Sequence, residues 1–133
     1  MKSDILIKDD LSGFIKGSRL ATSVTGKVCK TSVRPKDSDK EDVVISVVTN
    51  MNGQIQEAVV NVNIYVKDDY IKTTGQYQEA TIRLRELCSI ASETLEVGNG
   101  NDFRFTLESQ KVLAVETNEH VINNRLIYKQ VNE

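Results

Sequence analysis

Between Ala58 and Val66 the chain alternates with a period of two. Val60, Val62, Ile64 and Val66 fall on one side, and Val59, Asn61, Asn63 and Tyr65 on the other. Successive side chains of a strand point to opposite faces, so this run predicts a strand with one clearly more apolar face that needs a cover. The cover is predicted a little further on. Tyr77, Ala80, Leu84, Leu87, Cys88, Ala91 and Leu95 recur at spacings of three and four, the signature of a helix with one buried stripe. Glu79, Arg83, Arg85, Glu86 and Glu93 would decorate its other sides. A strand face and a helix stripe that each need a partner predict an α+β fold. The expected architecture is an antiparallel β-sheet with one long amphipathic helix packed on one face and a short N-terminal helix. Residues 1–133 are expected to form a single domain, because 133 residues can enclose a core without disulfide or metal staples.

The remaining elements follow from punctuation. Ile7, Leu11, Phe14 and Ile15 recur at helical intervals, with Ser3 or Asp4 placed to cap the start, so a helix is expected from Ser3 to Lys16. Gly17 and Ser18 end it, and the small and polar residues up to Gly26 read as a connection. Val28 to Val33 is a candidate short strand. Arg34 to Asp42, RPKDSDKED, holds the only proline and almost nothing apolar, which predicts the most exposed loop of the chain. Asp42 to Thr49 is β-branched and reads as a strand buried on both faces or nearly so. Asn52-Gly53 signals a hairpin, since both residues tolerate the positive φ of a type I′ turn. Lys67 to Asp69 is a polar break, and Gly98 to Asp102, GNGND, is expected to stop the main helix. Phe103 to Leu107, Lys111 to Glu116 and Arg125 to Val131 read as short strands, the last two joined by Thr117 to Asn124.

The chemistry that would mark an enzyme is sparse. His120 is the single histidine and sits in the polar stretch TNEHVINN, where an exposed loop residue is expected and no second histidine can share a metal with it. No serine lies in a G-x-S-x-G context. V-G-N-G-N around Gly98 and Gly100 follows a helix and lacks the lysine and the opening helix of a phosphate loop. Asp37, Asp39, Glu41 and Asp42 cluster in the loop, but Lys36 and Lys40 are interleaved and the glycine and terminal glutamate of a calcium loop are missing. Cys29 and Cys88 match neither a redox pair nor a zinc knuckle, and both are expected to be free thiols. The reading is therefore of a protein without catalytic residues, cofactor or metal.

Charge and aromatics argue against nucleic acid. Seventeen basic against nineteen acidic residues leave a net charge of -2, with the signs alternating along the chain instead of forming a basic block. Aromatic residues are only 5% and scattered, a poor stacking platform. Phe103 and Phe105, two apart, are expected to pack in the core. No window is apolar enough to span a membrane, and the acidic residues Asp4, Asp9 and Asp10 rule against a signal peptide. The default location is the cytoplasm.

Four segments carry a family likeness: the loop RPKDSDKED leading into VVISVVT, the strand EAVVNVNIYVKDD, the helix QYQEATIRLRELCSIASETL, and the closing run VLAVETNEHVINNRLIYKQV. In this order they resemble the tail-terminator and tail-completion proteins of long-tailed bacteriophages. The resemblance implies a structural assembly protein that forms a ring, a homo-hexamer when assembled, caps the tail tube and contacts the head connector. It also implies the cytoplasm of a bacterial host and then the virion. Under that reading the projections beside the sheet are the subunit or partner contacts: Arg34, Lys36, Asp37 and Asp39 in the loop, and Asn52 and Gly53 in the hairpin. Their polar composition would leave the free protein a soluble monomer. Two readings of other classes stand beside it: a cellular interaction or regulatory domain that binds through a sheet edge, and a small ligand-binding module or enzyme with a pocket near His120 or the acidic loop.

Overall fold

The computed structural model describes residues 1–115 and 118–131. Two helices of similar length, α1 (Asp4–Lys16) and α3 (Thr81–Leu95), accompany a five-residue helix, α2 (Arg19–Ser23). The strands are β1 (Val28–Cys29), β2 (Val43–Met51), β3 (Glu57–Lys67), β4 (Asp69–Ile71), β5 (Gln76–Gln78), β6 (Val97–Asn99), β7 (Phe103–Val115) and β8 (Glu119–Gln130). Six of them form one sheet in the order β1-β2-β3-β8-β7-β6. Among the described residues only the β1–β2 pair of this sheet is parallel. β4 and β5 form a separate hairpin.

β3 carries the alternation that the sequence predicts. Ala58, Val60, Val62, Ile64 and Val66 are buried, and the residues between them are half-buried. Their face meets Ile7, Leu11 and Ile15 of α1 and Leu84, Leu87, Ile90, Ala91 and Leu95 of α3 in one cluster, which Ile122, Leu126 and Tyr128 of β8 complete. Cys88 is half-buried at its edge. α3 is preceded at its N-cap by Ala80, which offers no side-chain cap. A missing cap costs about 1 kcal/mol, whereas each fully buried leucine or isoleucine contributes roughly 1.5–3 kcal/mol. Tertiary burial therefore decides that this helix forms. α1 starts more conventionally, with the Ser3 hydroxyl accepting from the Leu6 N–H at 3.3 Å.

Several expectations are corrected. The pattern of one long and one short helix gives way to helices of 15 and 13 residues. Tyr77 does not belong to the main helix: Gly75, at φ +67°, turns the chain between β4 and β5, and Tyr77 lies exposed on β5. The connection up to Gly26 contains α2. The strand expected over Val28–Val33 is two residues long: the chain turns at Lys30 and Thr31, and Ser32 beyond them takes φ 66°. β2 is buried on both faces only at Val43, Val44 and Ile45, and its far half is open. The hairpin exists, with Met51 opposite Glu57, but neither Asn52 nor Gly53 has positive φ, so residues 52–56 make a wider loop than a type I′ turn.

The C-terminal third departs further. Gly98 does not cap the helix; it is a residue of β6, where a Cβ would collide with the rings of Phe105 and Phe14. The segments expected as two strands, Phe103–Leu107 and Lys111–Glu116, are one long strand with a bulge between Leu107 and Ser109, Glu116 lying outside the described residues. β8 begins at Glu119, so most of the connection expected over Thr117–Asn124 is strand, Thr117 lying outside the described residues. His120 is consequently a strand residue, with Nδ1 2.6 Å from Asp68 Oδ1, and not an exposed loop residue. Phe103 and Phe105 are buried as expected, stacked on Tyr128 and edge-on to Phe14.

Candidate subunit-contact surface

The loop of residues 34–42 is anchored from within by two arginines. Arg34 donates Nε to Asp42 Oδ2 at 3.0 Å, Nη1 to Glu119 Oε1 at 2.9 Å and Nη2 to the Lys40 carbonyl at 2.9 Å. Its guanidinium lies 4.4 Å from the centre of the Tyr65 ring. The Asp42 carboxylate also accepts the Ser38 hydroxyl at 2.5 Å and the Lys27 N–H at 3.0 Å. Burial alone would raise the Asp42 pKa; the hydrogen bonds from Ser38, Lys27 and Arg34 outweigh it and hold the carboxyl below its ordinary value. Arg83, from α3, grips Glu41 with Nε and Nη2, each at 2.7 Å, and gives Nη2 to the Ser23 carbonyl at 2.6 Å. Gly26 is required here, since a Cβ would meet the Asp42 carboxylate and the Glu41 backbone.

The four loop residues singled out in the sequence therefore separate. Arg34 faces inward, while Lys36, Asp37 and Asp39 are exposed at the tip. Asp37 takes φ 55°, a left-handed conformation that its short polar side chain tolerates. Between the tip and the sheet lies a shallow depression of about 390 Å³, lined by Arg34, Pro35, Asp37, Asp39, Lys67 and Glu119 among others.

Asn52 and Gly53 lie at the other end of the sheet. Asn50 and Gln56, at the base of their loop, are tied to the N-terminal segment: Gln56 Nε2 donates to the Lys2 carbonyl at 2.7 Å, and Asn50 Nδ2 to Asp4 Oδ1 at 2.8 Å. Gln56 is buried, and the tip from Met51 to Ile55 is exposed. The two groups of candidates are separated by the length of β3, on the order of 30 Å for its run at about 3.3 Å per residue.

Sequence reasoning missed a third projection. The β4–β5 hairpin stands at the loop end of the sheet and exposes Tyr70 and Tyr77, each 53% accessible, with ring centres 5.0 Å apart. The signal was present in DYIKTTGQYQ, where a glycine separates two short runs that each carry a tyrosine, but the tyrosine spacing also fitted the start of the helix.

Burial pushes both thiols, Cys29 and Cys88, up from their ordinary value, which disfavours the reactive thiolate. Among the described residues there is no group of three or more His, Cys, Asp or Glu side chains able to hold a metal. Among the described residues no helix is long and apolar enough to cross a membrane.

No protein-family model matches the chain, and no curated protein matches it. Among solved structures, a chain of one titled "Virion of native gene transfer agent (GTA) particle" is similar to it with a TM-score of 0.58, over 95% of this chain and 95% of that chain, at 12% identity. The likeness shows a shared fold, a mixed α+β architecture built on a mostly antiparallel sheet.

Proposed function

We propose that the protein is a phage or prophage structural assembly protein, a tail terminator or tail-completion factor that forms a ring, caps the tail tube and contacts the head connector. The observation that carries this reading is the presence of exposed projections at both ends of one sheet. The loop tip Lys36–Asp39 and the tyrosine-bearing β4–β5 hairpin stand at one end, and the tip Met51–Ile55 at the other. A subunit lodged between a tube and a connector needs one contact surface toward each, and the rigid sheet between the two keeps them at a constant distance. The whole-chain likeness to a chain of a phage-like virion supports the same reading. Anchoring by Arg34 and Arg83 leaves the tip Lys36–Asp39 presented on a rigid base, and the polar composition of that tip is compatible with a free monomer that assembles only on a tube or at high concentration. The role needs no cofactor, membrane or nucleic acid.

The test is sedimentation velocity and light scattering of the purified protein with and without isolated tail tubes, followed by electron microscopy of the tube ends. The expected result is a homo-hexameric ring and capped ends. Failure to form any oligomer or to bind a tube end would favour the cellular interaction domain instead.

A further inference from the structure

The dipeptide Asn-Gly occurs twice in the chain, at Asn52-Gly53 and at Asn99-Gly100, and the fold places the two in opposite surroundings. Asn99 belongs to β6 and stands opposite Arg104 of β7. The Gly100 N–H donates to the Phe103 carbonyl at 2.9 Å, and a Cβ on Gly100 would collide with the Phe103 ring. That glycine is held in the turn between β6 and β7, under an aromatic side chain. Asn52 and Gly53 lie outside any strand or helix, and both are exposed. Among the described residues neither the Asn52 side chain nor the Gly53 N–H takes part in a hydrogen bond. Beyond its chain neighbours, a Cβ on Gly53 would meet only the Ile55 carbonyl oxygen, at 3.5 Å.

These surroundings decide whether an asparagine survives. A glycine after it has no Cβ to obstruct its own amide nitrogen from approaching the asparagine side chain, and it turns freely into the conformation that brings the two together. The nitrogen must also be disengaged, since an N–H held in a hydrogen bond reacts only after local opening. We propose that Asn52 is a site of spontaneous deamidation in the folded protein, with solvent water as the co-reactant, and that Asn99 is protected. The Gly53 amide nitrogen gives its proton to solvent base and forms a bond to Cγ of Asn52. The Cγ–Nδ2 bond breaks, and Nδ2 takes up a proton and leaves as ammonia. Water then opens the five-membered imide at either carbonyl, which yields an aspartyl or an isoaspartyl linkage. One water is consumed, one ammonia is released, and nothing is oxidised or reduced.

The position gives the change its effect. Residues 51–56, MNGQIQ, carry no charge, and Met51 and Ile55 are 70% and 57% exposed. Deamidation introduces a carboxylate between these two apolar side chains. The isoaspartyl product also lengthens the main chain by one methylene, in a loop whose base is pinned to the Lys2 carbonyl by Asn50 and Gln56. The modification does not depend on the ring reading. Its consequence for assembly does, because that reading makes this tip a contact surface.

The experiment incubates the full chain at mildly alkaline pH, folded and in guanidinium chloride, and follows both asparagines by peptide mapping and mass spectrometry over days. In denaturant the two Asn-Gly pairs should react at similar rates. In the folded protein Asn52 should keep most of that rate, while Asn99 falls at least about tenfold below it. Gly53→Ala is compatible with the fold, since Gly53 does not have positive φ and its Cβ has room. It should slow Asn52 at least about tenfold with the melting temperature unchanged. The inference is overturned if folding slows Asn52 as much as Asn99, if Asn99 reacts first, or if Gly53→Ala leaves the rate as it was. On tail tubes a tip in contact should deamidate more slowly than in the free protein. Equal rates there would leave the modification in place and remove this tip from the contact surface.

Discussion

Arg34 and Glu119, 85 residues apart in the chain, meet at 2.9 Å and fasten the exposed loop to the first residue of β8. The contact is largely out of water: the side chains of Arg34, Glu119 and Asp42 are 18%, 7% and 1% exposed. Removing one member of such a group leaves buried charge without its counterpart, which typically costs about 3–5 kcal/mol.

Arg34→Glu is therefore expected to damage the fold before it touches assembly. Urea denaturation should show a stability loss of about 3 kcal/mol or more, with the slope against denaturant unchanged. A loss under about 0.5 kcal/mol, the size of an ordinary surface effect, would mean that the loop is held by something other than this arginine.

The loop tip is the better place to test contacts. Lys36 and Asp39 are exposed at the tip, so Lys36→Glu with Asp39→Lys should leave the unfolding free energy within about 0.5 kcal/mol of wild type. Exposed ion pairs contribute only about 0–1 kcal/mol each, so the swap should alter register and rate of assembly more than the strength of the final complex. Light scattering on tail tubes reads the rate. Unchanged assembly kinetics would remove the loop tip from the contact surface.

Acid stability follows from Asp42. Its carboxyl is held below its ordinary value of 3.8 by hydrogen bonds that outweigh burial. A depressed carboxylate contributes stability that is fully present above the unfolded value and is lost as pH falls through the folded one. Unfolding free energy should thus decline as pH drops below about 3.8. Asp42→Asn should be less stable at neutral pH and show a shallower acid slope. Equal slopes in the two proteins would contradict the assignment.

The elements legible in the sequence were those whose pattern was local. The alternation of β3 and the stripe of the main helix each repeat within one element, and the structure buries the strand face together with Leu84, Leu87, Ala91 and Leu95, while Cys88, read on the same stripe, is half-buried. The errors arose where a distant partner decides. Gly98 looks like a helix stop because it follows Leu95, but the rings of Phe14 and Phe105 select glycine there. His120 looks like a loop residue because TNEHVINN is polar. Its strand exists because β3 and β7 pair on either side of it, at Val66 and Ala114. Arg34 reads as a surface charge until Glu119 is brought to it. The type I′ expectation at Asn52-Gly53 failed for a similar reason, since Gln56 and Asn50 tie the base of the loop to Lys2 and widen it. The β4–β5 hairpin lay within the helix pattern because Tyr77 and Ala80 happen to fit its spacing.

The opposite end of the sheet is secured by Tyr128, whose hydroxyl donates to Asp10 Oδ2 at 2.6 Å, joining β8 to α1. Lys2 Nζ reaches the same oxygen at 2.6 Å, and the ring stacks on Phe103 with centres 5.5 Å apart. Burial, reinforced by Asp10 and only partly offset by Lys2, drives the Tyr128 pKa far above its ordinary value of 10.0. An acid whose folded pKa is raised contributes stability that is fully present below the unfolded value and is lost as pH rises toward the folded one. In an ultraviolet titration Tyr128 should ionise only together with alkaline unfolding. Tyr128→Phe keeps the stacked ring and removes the donor to a charged acceptor, so it should cost about 1.5–3 kcal/mol at neutral pH. It should also flatten the fall in stability above about pH 10. Because Lys2 also links to Gln56 at the base of residues 52–56, the variant should raise hydrogen exchange there before it does so at the Lys36–Asp39 tip. Equal changes at both ends of the sheet would show that Tyr128 supports the core as a whole and not the anchoring of that one projection.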